Sequence, residues 1–169
     1  MRIRIVVPVA AACAAAAGLG AVALASGQPA PDAGSAAQEQ RANRVLFAVL
    51  TGRKEVDAEG NRRAGDLDGR GSFSGTVDGD QLCFGITVKN IDTPGAAHIH
   101  KAPRNEAGDI VVPLTAPSSG DPGASSGCVD VDPELAQAIL KHPHKYYANV
   151  HTAAFGGGAV RGQLFRKSR

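Results

Sequence analysis

The stretch DGDQLCFGITVK, residues 78–89, contains the clearest secondary-structure signal in the chain. Its first three residues, Asp78-Gly79-Asp80, are typical of a tight turn between two antiparallel strands. After the turn, apolar residues occupy every second position from Leu82 to Val88. Because successive side chains of a strand point to opposite faces, this period of two predicts a β-strand with one buried face.

Seven further segments have a similar strand-like character, and turn residues separate them. They cover residues 45–50, 72–77, 96–102, 109–115, 127–131, 146–152 and 159–165. One helix is expected, because Asp132 is suited to an N-cap, Pro133 to the first helical position, and Pro143 to ending the helix. About eight short strands and a single short helix predict an all-β fold, an antiparallel β-sandwich with Greek-key-like connections.

The first 25 residues predict a targeting segment. Arg2 and Arg4 precede an uncharged, alanine-rich run that ends in Ala23-Leu24-Ala25, a pattern that signal peptidase accepts. We therefore expect a signal peptide over residues 1–25 and a protein that is secreted or lies at the exterior of the cell envelope. Retention of this segment as a membrane anchor is the alternative, because 21 uncharged residues are long enough to span a bilayer.

Composition divides the rest of the chain into three parts. Residues 26–44 are rich in Pro, Ala, Gly, Ser and Gln and predict a flexible linker. Residues 45–166 contain all the strand-like segments and predict the folded domain. Residues 167–169 predict a short basic tail.

The charge of the exported chain does not favour binding to polyanions. Removal of Arg2 and Arg4 leaves sixteen basic residues against sixteen acidic ones, so this chain is formally neutral when the histidines are neutral. No basic stripe indicates binding to nucleic acid or to an anionic membrane. The expected partner is an extracellular protein or a cell-envelope component, and membrane contact is expected only through an uncleaved N-terminal segment.

Two cysteines, Cys83 and Cys128, lie outside the predicted signal peptide. In an oxidising compartment an isolated pair predicts a disulfide. Closing this loop would stabilise the fold by roughly 3–4 kcal/mol according to the chain-entropy model. No Cys-x-x-Cys motif or Cys/His spacing favours a catalytic or metal-binding role for either residue.

Histidines at alternating positions supply the candidate functional site. On a strand, His98 and His100 of AAHIHKA share one face, and the residue between them faces the other way. The same alternation places Asn149 and His151 of YYANVHT on one face, and Arg161 of AVRGQLF opposite its apolar neighbours. Three strands are therefore expected to carry polar side chains on one face.

Two interpretations of this histidine face stay open. In the first, His98, His100 and His151 bind zinc or copper, for which imidazole is a common ligand. In the second, the histidines stabilise the sheet without a metal, through hydrogen bonds to backbone carbonyls and to three supporting residues, namely Asn149, Thr152 and Arg161. No GxSxG, HExxH or phosphate-loop motif is present, so no catalytic residue and no other cofactor is predicted, and enzymatic activity is not favoured.

Five segments, taken together and in order, resemble the CHRD domain, the module named after chordin. They are LTG with EV (residues 50–52 and 55–56), AHIH (97–100), VVPL (111–114), YANVHT (147–152) and VRGQL (160–164). The resemblance covers about residues 45–165 and implies an extracellular β-rich domain, found in bacteria as a single exported unit. The glycine-rich passage that usually follows HIH in the family reads KAPRNEAGD here.

The resemblance implies no reaction, and function has to be argued from a site rather than from a fold. The His-x-His strand is also similar to one in copper/zinc superoxide dismutase, but the further metal-binding histidine and aspartate pattern of that enzyme is missing. We therefore expect an extracellular binding or structural interaction module whose working surface is the histidine face. The alternative is a zinc- or copper-binding protein with redox or hydrolytic activity.

Overall fold

The structure is a computed structural model that describes residues 44–166 and, outside this range, only Gly34 and Gln38. The predicted signal peptide and basic tail, and nearly all of the predicted linker, lie outside the described residues. Over the part of the chain that is described, no helix is both long enough and apolar enough to cross a membrane.

Within residues 44–166, the domain consists of eight strands and one α-helix. In chain order they are β1 (Val45–Thr51), β2 (Arg70–Asp78), β3 (Gln81–Lys89), β4 (Pro94–Lys101), β5 (Asp109–Leu114), β6 (Gly123–Asp130), α1 (Pro133–Lys141), β7 (Tyr146–Thr152) and β8 (Val160–Gln163). Short 3-10 turns follow β1 and precede β7. The prediction of about eight strands and one helix is confirmed.

The turn and helix-capping residues predicted from the sequence have their expected roles at the β2–β3 turn and at the start of α1. Gly79, with φ of 63°, turns the chain between β2 and β3, a left-handed conformation that glycine adopts without steric cost. At the start of α1, the Asp132 carboxylate accepts hydrogen bonds from the backbone N–H groups of Glu134 and Leu135. The helix buries Ala136 and Ile139 against the core.

All eight strands belong to one antiparallel sheet with the order β5-β4-β7-β8-β1-β2-β3-β6. The sheet folds over so that its two edge strands meet: the Ser125 hydroxyl in β6 donates to the carbonyl of Thr115, which follows β5, over 2.8 Å. The predicted antiparallel β-sandwich is confirmed, and its layers are parts of one continuous sheet.

A single apolar core fills the space inside the folded sheet. Ile99 of β4 and Val150 of β7 are completely buried there, together with Leu46 and Leu50 of β1. The alternation in β3 has the predicted effect, since every second residue from Leu82 to Val88 is buried. These contacts set which face of each strand is left for polar side chains.

The predicted disulfide forms between Cys83 and Cys128. The two residues are direct partners across the antiparallel pair β3 and β6. The bond therefore connects strands that already lie side by side, and it closes a segment with a sequence separation of 45 residues.

The face of β7 that points away from the apolar core is also covered. Every residue from Tyr146 to Val150 is buried, on both sides of the strand. The covering comes from three connections: residues 52–69 after β1, 102–108 between β4 and β5, and 153–159 between β7 and β8. Hydrogen bonds from the polar side chains of β4, β7 and β8 reach carbonyl oxygens in the second and third of these connections.

Candidate metal centre

The pairing of β4 with β7 brings the three predicted histidines together. In this register His98 is opposite Asn149, His100 is opposite Tyr147, and His151 is opposite Ala96. One ring nitrogen from each of His98, His100 and His151 lies within 4.8 Å of the other two. The cluster thus consists of three imidazoles on one face of two neighbouring strands.

Backbone carbonyls determine which ring nitrogen of His100 and of His151 keeps a lone pair. Nδ1 of His100 lies 2.9 Å from the carbonyl oxygen of Gly108, and Nδ1 of His151 lies 3.0 Å from that of Gly156. Because a carbonyl oxygen can only accept, both Nδ1 atoms carry the proton in the neutral rings, and both Nε2 atoms keep a lone pair. Among the residues that the structure describes, these two Nε2 atoms and Nδ1 of His98 are buried and have no hydrogen-bond partner.

Burial keeps the histidines in the neutral form. The pKa of His100 is lowered to about 4, mainly by burial and in smaller part by the neighbouring His151, His98 and Arg161, while the hydrogen bond to Gly108 opposes the shift. Burial is also the main cause of the lowered pKa values of His98 and His151. Only the neutral ring can be a metal ligand, so the cluster has the protonation state for binding at neutral pH.

An aromatic stack holds His100 in position. The His100 ring lies parallel to that of Tyr147, with centroids 4.8 Å apart, and the guanidinium carbon of Arg161 lies 3.5 Å from the Tyr147 centroid. Since β7 runs between β4 and β8, the histidine and the arginine reach the tyrosine from opposite neighbouring strands. The backbone N–H of Gly108 donates to the Tyr147 hydroxyl over 3.2 Å, so both stacked rings are anchored to one loop residue.

A buried carboxyl group, Glu55, lies beside this stack. Its side chain is 1% exposed, and burial raises its pKa to about 7, with the Val56 N–H, Arg161 and Asn149 opposing the rise. A Cβ atom at Gly158 would lie 2.3 Å from Glu55 Oε2 and 2.6 Å from the amide nitrogen of Asn149, so only glycine fits over this pair. Glu55 belongs to the EV segment that resembles the CHRD domain, but the sequence did not indicate it as a site residue, because a single carboxylate beside a valine is typical of an exposed loop.

The three predicted supporting residues have different positions. Asn149 and Arg161 are 1% and 2% exposed and lie on the same face as the histidines. Thr152 lies away from the cluster, since alternation along β7 turns it opposite to His151, and its hydroxyl accepts the N–H of Phe155 over 3.2 Å. In the described range, the imidazoles hydrogen-bond to backbone carbonyls and to none of these three side chains.

The remaining two histidines lie elsewhere. His142 ends α1, and His144 is in the 3-10 turn that precedes β7. Their ring centroids are 6.1 Å apart, and neither belongs to the three-histidine cluster. Because His144 is exposed, it is suited as a control in experiments on the cluster.

Comparison with known proteins agrees with this architecture. No curated protein and no solved structure matches the chain. The family model of the CHRD domain matches residues 46–164, a range that contains all three clustered histidines, Glu55 and Arg161. Because this match covers most of the chain, the protein belongs to the CHRD domain family.

Proposed function

We propose that this protein is an exported module that binds one copper or zinc ion through His98, His100 and His151. One observation carries the proposal: one ring nitrogen from each of the three imidazoles lies within 4.8 Å of the other two, and each ring has a buried nitrogen without a hydrogen-bond partner in the described part of the chain. A buried polar atom without a partner is costly, and a metal ion would satisfy three such atoms at once.

The geometry requires a small adjustment for binding. With metal–nitrogen bonds of about 2 Å, nitrogens that share an ion are separated by about 3–4 Å. The present upper limit of 4.8 Å is larger, so the rings would rotate inward on binding. His98 and His151 are partly exposed, which gives an ion access and leaves room for a water molecule as a further ligand.

The ligand set favours particular metals. Three neutral imidazoles without a carboxylate suit copper and zinc and do not suit calcium or magnesium, which prefer oxygen ligands. Between the two divalent ions, copper is expected to bind more tightly. A bound ion would supply redox chemistry in the case of copper and Lewis acidity in the case of zinc.

The carbonyl partners support the proposal because they resemble the surroundings of metal-binding histidines. Such a histidine typically donates its second ring N–H to a carbonyl or carboxylate, which sets both the tautomer and the ring orientation. Gly108 and Gly156 have this role for His100 and His151. Both carbonyls come from loops that cover the sheet face.

A role as an interaction module that uses the histidine face has less support. His100, Asn149 and Arg161 are at most 6% exposed, so little of this face is available to a macromolecule. This burial favours a small occupant. Extracellular binding by other surfaces of the domain stays a prediction. Export is supported by the Cys83–Cys128 disulfide and by membership of an extracellular domain family.

Metal content is the direct test. We would purify the protein without a histidine tag and measure copper and zinc by mass spectrometry, before and after incubation with each ion. The wild type is expected to hold one ion per chain. His98→Ala and His151→Ala are expected to lose it, whereas His144→Ala is expected to keep it.

Two results would contradict the proposal. One is a wild type that takes up neither ion. The other is equal metal content in all three histidine variants, which would place binding outside the cluster. Circular dichroism of each variant separates loss of the ligand from loss of the fold.

A further inference from the structure

A second candidate site is a basic cavity of about 290 Å³ on the covered side of the sheet. It lies where β1 and β8 meet the turn after β1 and the loop between β4 and β5. Its lining residues are Val49, Arg53, Lys54, Arg62, Arg104, Asn105, Arg161, Gln163 and Phe165. Five of these nine side chains are cationic, and none is acidic.

No salt bridge within residues 44–166 neutralises the positive charge of this cavity. None of the five cationic side chains forms a salt bridge there, and Glu55, the carboxyl group that interacts electrostatically with Arg161, does not line the cavity. Burial lowers the pKa of Lys54, and repulsion from Arg104 lowers it further. Like charges held this close destabilise each other unless an anion lies between them.

Arg161 is the buried residue of the cavity lining, and contacts with its neighbours hold it in place. It is 2% exposed, whereas every other lining residue is partly or fully exposed. Its Nη2 donates to the carbonyl of Pro103 over 3.1 Å, and its guanidinium group stacks on Tyr147. Its Nη1 is buried and has no hydrogen-bond partner within residues 44–166, so one strong donor is held in place without an acceptor from this range.

Two further cations are also positioned by backbone contacts. Lys54 Nζ donates to the carbonyl of Val49 over 2.8 Å, and Arg53 Nε donates to that of Leu67 over 3.3 Å. These contacts reduce the freedom that the side chains would lose on binding a ligand. Each group keeps further N–H donors for an anion.

We propose that this cavity binds the phosphate or sulfate group of a small anionic ligand, with Arg161 and Arg104 as the main donors and Lys54 beside them. Guanidinium groups match such oxyanions because their planar forks donate two parallel hydrogen bonds. Val49 and Phe165, 54% and 46% exposed at the cavity, offer apolar contact to an organic part of the ligand. The inference does not depend on the proposed metal centre.

Isothermal titration calorimetry on the full chain tests the proposal at constant ionic strength, with inorganic phosphate, sulfate and glucose 6-phosphate as probes. We expect saturable binding of at least one probe with one site per chain. Arg104→Gln is expected to weaken binding at least fivefold, because it removes one of the two main donors. Since Arg104 is exposed, its loss is expected to leave the fold intact. Lys89→Gln removes an exposed cation from β3, outside the cavity, and is expected to leave the affinity unchanged.

His98→Ala separates this site from the metal centre, since an anion could also bind to a metal ion. Affinity retained in His98→Ala supports the cavity, whether or not the wild type proves to bind metal. Affinity lost in His98→Ala overturns the inference. It is also overturned if no probe binds with saturation up to 10 mM, roughly the weakest end of specific affinity, or if Arg104→Gln and Lys89→Gln weaken binding equally.

Discussion

Nδ1 of His100 donates to the carbonyl oxygen of Gly108 over 2.9 Å, and the same glycine donates its own N–H to the Tyr147 hydroxyl. One backbone position in the loop after β4 therefore orients both members of an aromatic stack. Gly108 also lies so close to the chain before it that a Cβ atom there would be 2.2 Å from the carbonyl oxygen of Lys101. The position of this loop and the orientation of the His100 ring are thus coupled.

Gly108→Ala is the first prediction. The added methyl group has to displace the loop, which moves the carbonyl away from His100 and frees the ring. We expect copper or zinc affinity to fall by about 10–100-fold, the usual effect of losing an outer-shell partner of a ligand. Competition with a chromogenic chelator measures this change.

The matched control is Gly157→Ala, since a Cβ atom at Gly157 would meet nothing within 4 Å. We expect its metal affinity to equal that of the wild type. Equal effects of the two alanine substitutions would show that the carbonyl of Gly108 does not position the ligand.

The pH dependence of metal uptake is the second prediction. Protons and metal ions compete for the same lone pairs, so affinity falls once the pH drops below the pKa of the ligands. Ordinary histidines titrate near 6.5, but the pKa of His100 is lowered to about 4, and those of His98 and His151 are also lowered. Apparent affinity is therefore expected to stay nearly constant from pH 7.5 to about 6 and to decline below that.

A titration of metal affinity between pH 4.5 and 7.5 decides this point. A decline that already begins near pH 7 would indicate that the histidines are protonated like exposed ones. A fourth ligand from the buffer is excluded by repeating the series in a second buffer.

Alternation in the sequence was sufficient to predict which side chains form the histidine cluster but not that they would come together. It assigned His98 and His100 to one face of a strand and His151 to the polar face of another, because the apolar residues between them had to be buried. That β4 and β7 are neighbours could not be predicted, since strands that begin at Pro94 and Tyr146 pair through long-range packing. Burial of the polar face could not be predicted either, because alternation assigns side chains to a face and does not show what covers that face.

The basic cavity could not be predicted from the sequence. Its cations come from four separate segments, at positions 53–54, 62, 104 and 161, and the formal neutrality of the chain concealed them. Each cation alone is typical of an exposed loop or strand. Only the covering of β8 by two loops brings them together around Arg161.

Glu55→Gln supplies the third prediction. Glu55 ionises near 4.5 when unperturbed and near 7 in the folded protein. Its contribution to stability is therefore complete below pH 4.5 and is lost as the pH rises through 7, because ionisation then favours the unfolded chain. From pH 4.5 to pH 8, the free energy of unfolding of the wild type should therefore fall by about 2–3 kcal/mol relative to that of Glu55→Gln.

Urea denaturation of chelator-treated protein at pH 4.5, 6 and 8 measures this shift. Glu59→Gln, an exposed change in the same loop, is expected to track the wild type at all three values. If both variants show the same pH profile, Glu55 does not titrate as a buried group.

The double substitution Cys83→Ser with Cys128→Ser gives the last prediction. The disulfide closes a segment with a sequence separation of 45, and its loss should lower the free energy of unfolding by about 3–4 kcal/mol, because the unfolded chain gains freedom. Metal content should not change, since β3 and β6 pair with neither β4 nor β7, the strands that carry the three histidines. Urea denaturation with and without reductant supplies its own control: reductant should destabilise the wild type and leave the double variant unaffected. Unchanged stability of the double variant, or identical peptide maps of reduced and non-reduced wild type, would show that this bond does not hold the two strands together.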